Sequence, residues 1–324
     1  MKTIQKLTLI GFAIATLSTS ALANTFPNKP ITLLVPFAAG GTTDLIARVI
    51  SEPLGKELGQ PIIVENRGGA GGIIGASETA RSKPDGYSLG IATLSSHATN
   101  PAINPSGTKY DPINDFTFIG NIAGTPNVIA VTKSYPANNY KEFEAEIKKN
   151  GSKQSYASSG TGGVQHLLME LYKNLTHTDM QHIPYKGAGP ALNDTVSGQV
   201  QMNLDNLPSS LPFIKDGRLK AMVVSAPQRL AVLPNVPTFA EVGLTPVNRM
   251  AVYGILGPKN MEQAVVEKIN TALNKVLKDP AVIKRIEDTG SIVTPSTPDE
   301  FKKHFTQEFD LYKKVVKDNK LSLE

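Results

Sequence analysis

The sequence predicts an α/β fold with two lobes and a mostly parallel sheet in each lobe. Two observations support this prediction. From residue 30 onward, short apolar runs rich in β-branched residues alternate with helical patterns, and the alternation restarts near residue 128. Strands that alternate with helices form parallel sheets covered on both faces. The chain also has 324 residues, more than a single hydrophobic core normally supports.

The N-terminus has the pattern of a secretory signal peptide. Lys2 and Lys6 precede an apolar run over Leu7–Leu17, and an Ala-Leu-Ala sequence ends at Ala23. The run is too short to span a bilayer, and no cysteine follows Ala23 to carry a lipid anchor. We therefore expect an exported protein, located in the periplasm and cleaved after Ala23, with 324 − 23 = 301 residues in the mature chain.

The composition excludes several classes of protein. The chain has no cysteine, so disulfides, thiolate metal sites and cysteine nucleophiles are excluded. The net charge is +5, or +3 without the two lysines of the signal peptide, and no dense basic block with interleaved aromatic residues argues for nucleic acid. A second long apolar segment is also missing from the sequence, which excludes a membrane-embedded fold.

The first lobe begins with three strands separated by helices. The predicted strands cover Ile31–Pro36, Pro61–Asn66 and Tyr87–Thr93. Between the first two strands, Thr43–Leu58 places its apolar residues on one helical face, and Pro53 is expected to kink this helix.

The second lobe repeats the alternation. Its predicted strands are Val128–Thr132, Ser155–Ser158, Val200–Leu204 and Leu219–Ser225, and its predicted helices are Asn139–Lys149 and Gly163–Asn174. Residues 199–204 alternate strictly between polar and apolar types, which predicts a half-buried strand that ends in Asp205-Asn206.

The last quarter of the chain is predicted to be helical and to return to the first lobe. The predicted helices are Glu262–Leu277, Pro280–Asp288 and Pro298–Val316, with a short extended piece near Ser291–Thr294. The first lobe then comprises residues 24–124 and 249–324, and the second comprises residues 125–248. Both connections, near 122–128 and 226–252, are rich in proline and glycine, as compact hinges can be.

Two glycine-rich turns are the candidate binding elements. The first glycine turn, P-F-A-A-G-G (residues 36–41), and the second glycine turn, S-S-G-T-G-G (158–163), each lead from a strand into a helix. A helix N-terminus leaves backbone N–H groups unpaired and carries partial positive charge, so it can hold an anion. The expected donors are the amides of Gly40, Gly41, Gly160, Thr161 and Gly162 and the hydroxyls of Thr42, Ser158, Ser159 and Thr161. The pair predicts an anion cleft between the lobes.

Other residues are candidates for the cleft wall. His97, beside Ser95 and Ser96, follows a strand and is expected to face the cleft. Tyr185 follows another strand and offers its hydroxyl. Asp205 would repel a purely anionic ligand but would pair with an ammonium or accept from a hydroxyl, although a structural role as a loop cap is equally open. No close His/Asp/Glu set or catalytic signature is present, so we expect no metal site, no catalytic residue and no cofactor.

Six motifs together resemble one family. They are P-F-A-A-G-G-T-T-D (36–44), V-E-N-R-G-G-A-G-G (64–72), P-D-G-Y (84–87), Y-D-P-I-N-D-F (110–116), P-Y-K-G (184–187) and N-V-P-T-F-A-E-V-G (235–243). In this order they resemble the periplasmic solute-binding receptors of tripartite tricarboxylate transporters, often called the Bug family. The resemblance implies a type II periplasmic-binding-protein fold, or Venus flytrap, and small carboxylates held by amides, hydroxyls and ordered waters. It also implies docking on membrane permease subunits.

The motif match extends to individual residues. It implies that Ala39–Thr42 bind one carboxylate, that Ser159–Gly163 with Tyr185 close over the other end, and that His97 and Asp205 face the cleft. The expected ligand-binding set is Phe37, Ala39, Gly40, Gly41, Thr42, Ser95, Ser96, His97, Ser158, Ser159, Gly160, Thr161, Gly162, Gly163, Tyr185 and Asp205.

The predicted function is a monomeric receptor that is not an enzyme. Dicarboxylates, acidic amino acids and aromatic acids all fit neutral donors, so the ligand stays open. One alternative is an exported dinucleotide-dependent oxidoreductase that uses the glycine spacing at Gly69–Gly75. That turn follows the second strand and lacks an acidic residue about twenty positions on, which favours a structural role. A second alternative is a sensory receptor that presents its ligand to a signalling partner.

Overall fold

A computed structural model describes residues 26–323. The predicted signal peptide and its cleavage site lie outside these residues. Within residues 26–323, no helix is both long and apolar enough to cross a membrane.

Strands and helices alternate along most of the chain. The strands are β1 (Ile31–Val35), β2 (Ile62–Asn66), β3 (Ser88–Thr93), β4 (Phe116–Thr125), β5 (Asn127–Thr132), β6 (Ser155–Ser158), β7 (Gln181–Pro184), β8 (Met202–Asn206), β9 (Leu219–Ser225), β10 (Ala251–Pro258) and β11 (Ile292–Val293). The helices are α1 (Thr42–Leu58), α2 (Ile73–Arg81), α3 (Asn100–Ile103), α4 (Tyr140–Asn150), α5 (Val164–Thr176), α6 (Ala188–Ser197), α7 (Leu207–Lys215), α8 (Gln263–Val276), α9 (Pro280–Glu287) and α10 (Pro298–Asp318).

The strands form two sheets, which confirms the two-lobed α/β fold. The first sheet has the order β11-β4-β10-β3-β1-β2 and the second has the order β7-β6-β8-β5-β9. In the first, β1 to β4 point one way and β10 and β11 the other; in the second, only β5 opposes its neighbours. Most strands therefore share one direction, but both sheets are mixed. Of the antiparallel strands, β5 is the one with which the chain enters the second sheet, and β10 is the one with which it returns to the first.

Helix α1 follows the predicted apolar pattern. Its face that includes Ile46, Ile50, Leu54 and Leu58 is buried against the first sheet and α8. The helix is continuous through Pro53. A proline removes one backbone hydrogen bond, and the buried residues on both sides of Pro53 hold the helix together around it.

Strand β8 corrects the expectation of a half-buried strand. All five of its residues are buried, including the polar Asn203 and Asp205. The strand is central in its sheet, and its polar face lies under other elements instead of facing solvent. Alternation of polar and apolar residues shows that the two faces of a strand differ, but it does not show that the polar face is exposed to solvent.

Two chain crossings join the lobes. Between the end of β4 and the start of β5 only Pro126 intervenes, and the chain returns through residues 226–250 into β10. The carboxyl ends of β1, β3, β6 and β8 all meet where the lobes face each other, because the residues that follow these strands line one common cavity. In α/β sheets this edge is where ligands bind.

Candidate functional site

A small cavity lies between the lobes, at the N-termini of α1 and α5. Its volume is about 20 Å³, room for about one water molecule, so a small organic molecule can enter only if the lobes move apart. The lining residues are Phe37, Gly41, Thr42, Thr43, Thr93, Leu94, Ser95, Ser159, Val164, Gln165, Ala188, Asp205, Asn206, Ala251, Val252 and Tyr253. Asp205 is the only carboxylic acid, and no lysine or arginine occurs, among these lining residues.

The first glycine turn ends with Gly41 as the N-cap of α1. The Gly40 amide donates to Asp44 Oδ2 at 3.1 Å, within its own lobe. Asp44 also accepts from Arg48 Nε and from Asn66 Nδ2, each at 3.0 Å. Burial raises the pKa of the Asp44 carboxyl, but the hydrogen bonds from Arg48, Gly40 and Asn66 outweigh burial and hold this pKa below its ordinary value. The turn is therefore supported by an ionised carboxylate.

The second glycine turn is held by neutral acceptors. The Gly160 amide donates to Ser158 Oγ at 3.2 Å, and the Gly162 amide donates to His166 Nδ1 at 3.1 Å. The Gly163 amide donates to the Gly160 carbonyl at 3.2 Å. Gly160 and Gly162 were expected to offer free amides to a ligand, and in this structure both amides are used within the lobe.

Two hydroxyls of the first lobe cap two helices of the second, and we call these contacts the cross-lobe caps. Ser95 Oγ accepts from the Val164 amide of α5 at 3.0 Å, and Thr42 Oγ1 accepts from the Ser209 amide of α7 at 3.2 Å. First-turn amides of a helix have no partner inside the helix, so each hydroxyl satisfies a donor that would otherwise need water or a ligand. Both caps border the cavity.

Asp205 lies at the carboxyl end of β8 and is 3% exposed. Its Oδ2 accepts from Ser209 Oγ at 2.5 Å and from Ser210 Oγ at 3.1 Å. Burial raises the pKa of this carboxyl to about 6, although the bonds from Ser209, the Asn206 backbone and Ser210 oppose the shift. Asp205 and Asp44 thus flank the same region with pKa shifts in opposite directions.

A buried amide network forms the floor of the cavity, and the sequence reasoning missed it. Ser159 Oγ donates to Gln165 Oε1 at 2.9 Å, and Gln165 Nε2 donates to Asn206 Oδ1 at 2.9 Å. Tyr253 Oη, from the first lobe, donates to the same oxygen at 2.5 Å. Asn206 Nδ2 donates to Asn127 Oδ1 at 2.6 Å. The only signal in the sequence was the position of Asn206 directly after Asp205 at a strand end.

His97 does not face the cleft, which corrects the prediction. It is 1% exposed, and its ring centroid lies 4.5 Å from that of Phe116 and 6.1 Å from that of Phe305. Nδ1 contacts Ser96 Oγ at 2.9 Å, and burial lowers the imidazole pKa to about 3. These aromatic residues come from β4 and α10. The sequence patterns do not predict β4, and so they do not predict the aromatic surface against which His97 packs. Ser96 is also fully buried in the first lobe, whereas Ser95 lines the cavity.

Tyr185 is likewise turned away from the cavity. Its hydroxyl donates to Asp194 Oδ2 of α6 at 2.7 Å, and burial together with Asp194 raises the phenol pKa to about 12. The backbone of the same segment does reach the first lobe, because the Ala38 amide donates to the Lys186 carbonyl at 3.1 Å. The expected role of the Tyr185 hydroxyl is therefore corrected.

The remaining predicted residues divide into those that line the cavity and those that do not. Phe37, Gly41, Thr42, Ser95, Ser159 and Asp205 line the cavity, whereas Ala39, Gly40, Ser158, Gly160, Thr161, Gly162 and Gly163 do not. Ala39 and Gly40 are exposed and approach Gly189 of the opposite lobe.

The turn at Gly69–Gly75 packs against the second lobe. Asn100 Nδ2 donates to the Gly71 carbonyl at 2.9 Å, and Gly71 has φ +59°. A Cβ at Gly71 would stand 2.6 Å from the Thr161 carbonyl oxygen. The glycine spacing thus serves close approach of two backbones, which agrees with the structural interpretation of this turn.

Comparison with known proteins gives the family. The family described as "Tripartite tricarboxylate transporter family receptor" matches residues 46–321. Protein BugT of Bordetella pertussis is 32% identical over 321 residues, which cover 98% of this chain and 98% of that protein.

Solved structures agree in fold. One described as a periplasmic transporter is 49% identical with a TM-score of 0.91, and the match covers 92% of this chain and 100% of the other. MatC from Rhodopseudomonas palustris with bound malate is 33% identical with a TM-score of 0.86, over 90% of this chain and 100% of the other. A second R. palustris protein, with adipate, is 32% identical with a TM-score of 0.87, over 92% and 99%.

The resemblance inferred from the motifs is confirmed. Members of this family are periplasmic solute-binding proteins, and such proteins are not enzymes. The chain belongs to the tripartite tricarboxylate transporter receptor family, the family that includes the Bug proteins.

Proposed function

We propose that the protein captures a small organic acid in the periplasm and delivers it to the permease subunits of a tripartite tricarboxylate transporter. In this proposal the chain is exported, is cleaved after Ala23 and acts as a monomer. The hinge lies at the two chain crossings, between the lobe of residues 24–124 plus 249–324 and the lobe of residues 125–248.

The observation that carries the proposal is the convergence of helix N-termini on one cavity whose lining holds no cation. Residues at the starts of α1 and α5, from opposite lobes, line the same space, and so does Asn206, the N-cap of α7. Helix N-termini attract anions through free amides and partial positive charge. The described lining contains no cation, so a carboxylate would be bound by backbone amides and hydroxyls.

The cross-lobe caps supply the donors. The Val164 and Ser209 amides bind hydroxyl oxygens of the first lobe in the closed arrangement. A carboxylate accepts more strongly than a hydroxyl, because charge-assisted hydrogen bonds are about twice as strong as neutral ones. When the lobes separate, an incoming carboxylate can replace Ser95 or Thr42 at these amides. Closure over a ligand that contacts both lobes then shifts the population towards the closed state.

Asp205 favours a ligand that also carries a hydrogen-bond donor. The buried carboxylate of Asp205 lines the cavity. It repels a ligand carboxylate placed next to it but accepts a hydrogen bond from a ligand hydroxyl or ammonium. The related structures hold malate, a hydroxy acid, and adipate, a plain diacid. We therefore place hydroxy and amino dicarboxylic acids ahead of plain and aromatic acids as ligands of this chain.

Isothermal titration of the mature protein tests the proposal. Malate, aspartate, succinate, adipate and benzoate would be compared at pH 7.5, with malate or aspartate expected to bind at least about tenfold more tightly than succinate, a difference of about 1.4 kcal/mol. The absence of heat and of thermal stabilisation with every organic acid would overturn carboxylate capture. Uptake of the bound acid by vesicles that contain the permease, dependent on added receptor, tests delivery.

A further inference from the structure

A pair of stacked histidines lies behind the second glycine turn, outside the cavity lining. His166 on α5 and His182 on β7 have ring centroids 3.9 Å apart and planes 10° apart, and His182 also stacks on Tyr156 at 4.9 Å. His166 is 4% exposed. Neither ring lines the cavity described above.

Each ring is connected to one amide of the second glycine turn. His166 Nδ1 accepts directly from the Gly162 amide at 3.1 Å. His182 Nε2 contacts Ser158 Oγ at 2.6 Å, and Ser158 Oγ accepts from the Gly160 amide at 3.2 Å. Gly160 and Gly162 have φ of +138° and +75°. Glycine adopts positive and negative φ about equally well, so the turn needs hydrogen bonds to hold it in this one conformation.

The hydrogen bond from the Gly162 amide exists only while Nδ1 of His166 carries no proton. A protonated imidazole has two N–H donors and no acceptor, so it cannot receive the Gly162 N–H. The surroundings favour the neutral form, because burial lowers the pKa of His166, against an opposing effect of Glu170. Burial and the adjacent His166 lower the pKa of His182 to about 3.

The charged and titratable groups around the pair come from three elements. Glu170 and Lys173 lie on α5, with Glu170 Oε1 at 3.9 Å from His166 Nε2 and Lys173 Nζ at 3.0 Å from Glu170. Tyr156 on β6 donates to Glu170 Oε1 at 2.6 Å. Asp179, just before β7, contacts Lys173 at 3.6 Å. The single negative charge nearest the rings is thus already paired.

We infer that His166 and His182 are positioning residues that hold the second glycine turn in its ligand-binding shape, His166 through the Gly162 amide and His182 through Ser158. The inference rests on the proposed function in one respect, namely that this turn belongs to the ligand site. It adds that the turn on the second lobe is sensitive to acid through a ring outside the cavity lining, in addition to the Asp205 carboxyl that lines the cavity.

Two variants of His166 separate the hydrogen bond from the shape of the ring. His166→Asn places a carbonyl oxygen near the position of Nδ1 and cannot titrate, whereas His166→Leu fills the space without an acceptor. His304→Leu is the matched control, since His304 Nε2 also lies 3.9 Å from a glutamate four residues on, Glu308, but on α10 away from the turn. The affinity for malate or aspartate should fall about tenfold in His166→Leu and by less than about threefold in His166→Asn and His304→Leu.

The pH profile and the Gly162 amide resonance give readouts that a merely structural role would not change. The ratio of wild-type to His166→Asn affinity should fall as pH is lowered from 7.5 through the lowered pKa of His166, because only the wild type loses its acceptor on protonation. In ¹⁵N-labelled protein without ligand, the Gly162 resonance should move in His166→Leu and, on acidification, in the wild type but not in His166→Asn.

Each outcome decides the inference. Equal affinities for His166→Leu and the wild type, or equal losses in His166→Leu and His166→Asn, would overturn it. If no organic acid binds the wild type, the proposed function fails, and the Gly162 resonance alone then tests the positioning role of His166. A resonance unchanged in His166→Leu would then refute the positioning role.

Discussion

The two glycine turns lie on opposite sides of one cavity and have similar sequences, yet they are supported by different chemistry. In the first turn the Gly40 amide is held by Asp44, a carboxylate paired with Arg48. In the second turn the Gly162 amide is held by His166, an uncharged ring in a stacked pair. A loop that presents some of its amides to an anion needs acceptors within the protein for its other amides. A charged or a neutral acceptor can fill that role.

The difference has a physical consequence for ligand binding. The ionised Asp44 lies beside the N-terminus of α1, where the helix dipole stabilises negative charge. The same negative charge offsets the partial positive charge of this N-terminus and so weakens its attraction for an anionic ligand. The neutral histidines leave the N-terminus of α5 uncompensated. The second turn therefore offers the more favourable electrostatic environment for a carboxylate.

The largest effect is expected from blocking closure at the first turn. Gly41 has φ −92°, which any residue adopts, but a Cβ there would stand 3.1 Å from Ala188 Cβ of the opposite lobe. Gly41→Val should leave the fold intact and weaken ligand binding by up to about 100-fold, because the added side chain opposes closure of the lobes and overpacking typically costs about 1–3 kcal/mol. Titration calorimetry measures the affinity and X-ray scattering the closure.

Gly124→Ala serves as the control for this variant. A Cβ at Gly124 would have an ordinary contact of 3.6 Å with Met250, so affinity should stay near that of the wild type. A Gly41→Val protein that binds as the wild type does would show that the first turn does not need close approach to α6.

The next effect compares the two buried carboxylates, which should give opposite pH dependence. Asp44→Asn should lower the free energy of unfolding by about 1–3 kcal/mol at pH 7, and the difference from the wild type should shrink as pH falls below about 4. A carboxyl with a lowered folded-state pKa stabilises the fold above its unfolded pKa, and this contribution is lost as pH falls through the folded pKa.

Asp205→Asn should behave in the reverse way. The folded-state pKa is raised from 3.8 to about 6, so the wild type loses stability as pH rises from about 4 through 6, by roughly 3 kcal/mol at most. The variant should match the wild type at pH 4 and exceed it at pH 8. Urea unfolding at several pH values measures both proteins, and parallel profiles for Asp44→Asn and Asp205→Asn would contradict the contrast between them.

The smallest effect concerns the cross-lobe caps. Ser95→Ala and Thr42→Val each remove one hydroxyl acceptor from a helix amide of the second lobe, and a neutral hydrogen bond contributes about 1 kcal/mol. The ratio of closed to open protein should fall about fivefold in each variant. Lys56→Cys with Lys148→Cys, on opposite lobes of a chain without native cysteine, provides label sites for energy transfer. An unchanged distance distribution in both variants would show that the caps do not favour closure.

Local signals allowed much of the fold to be predicted. The strands near Ile31, Ile62 and Ser155 and the helices that begin near Thr42 and Val164 agree with the sequence patterns within one or two residues, because apolar periodicity and glycine turns act over a few residues. The long strand β4 was not predicted. Its pairing with β10 joins residues more than a hundred positions apart, and no local pattern encodes such a partner.

The sequence by itself determined the class of the protein: alternating strands and helices in two lobes, two glycine turns at helix starts, no cysteine, and motifs that place the chain in its family. Only the tertiary structure decided where the polar side chains between these elements point. His97 turned into an aromatic core, Tyr185 bound Asp194, and Ser95 and Thr42 reached helices of the other lobe. Backbone conformation depends on near neighbours in the chain, whereas the partner of a side chain depends on packing between segments far apart in sequence.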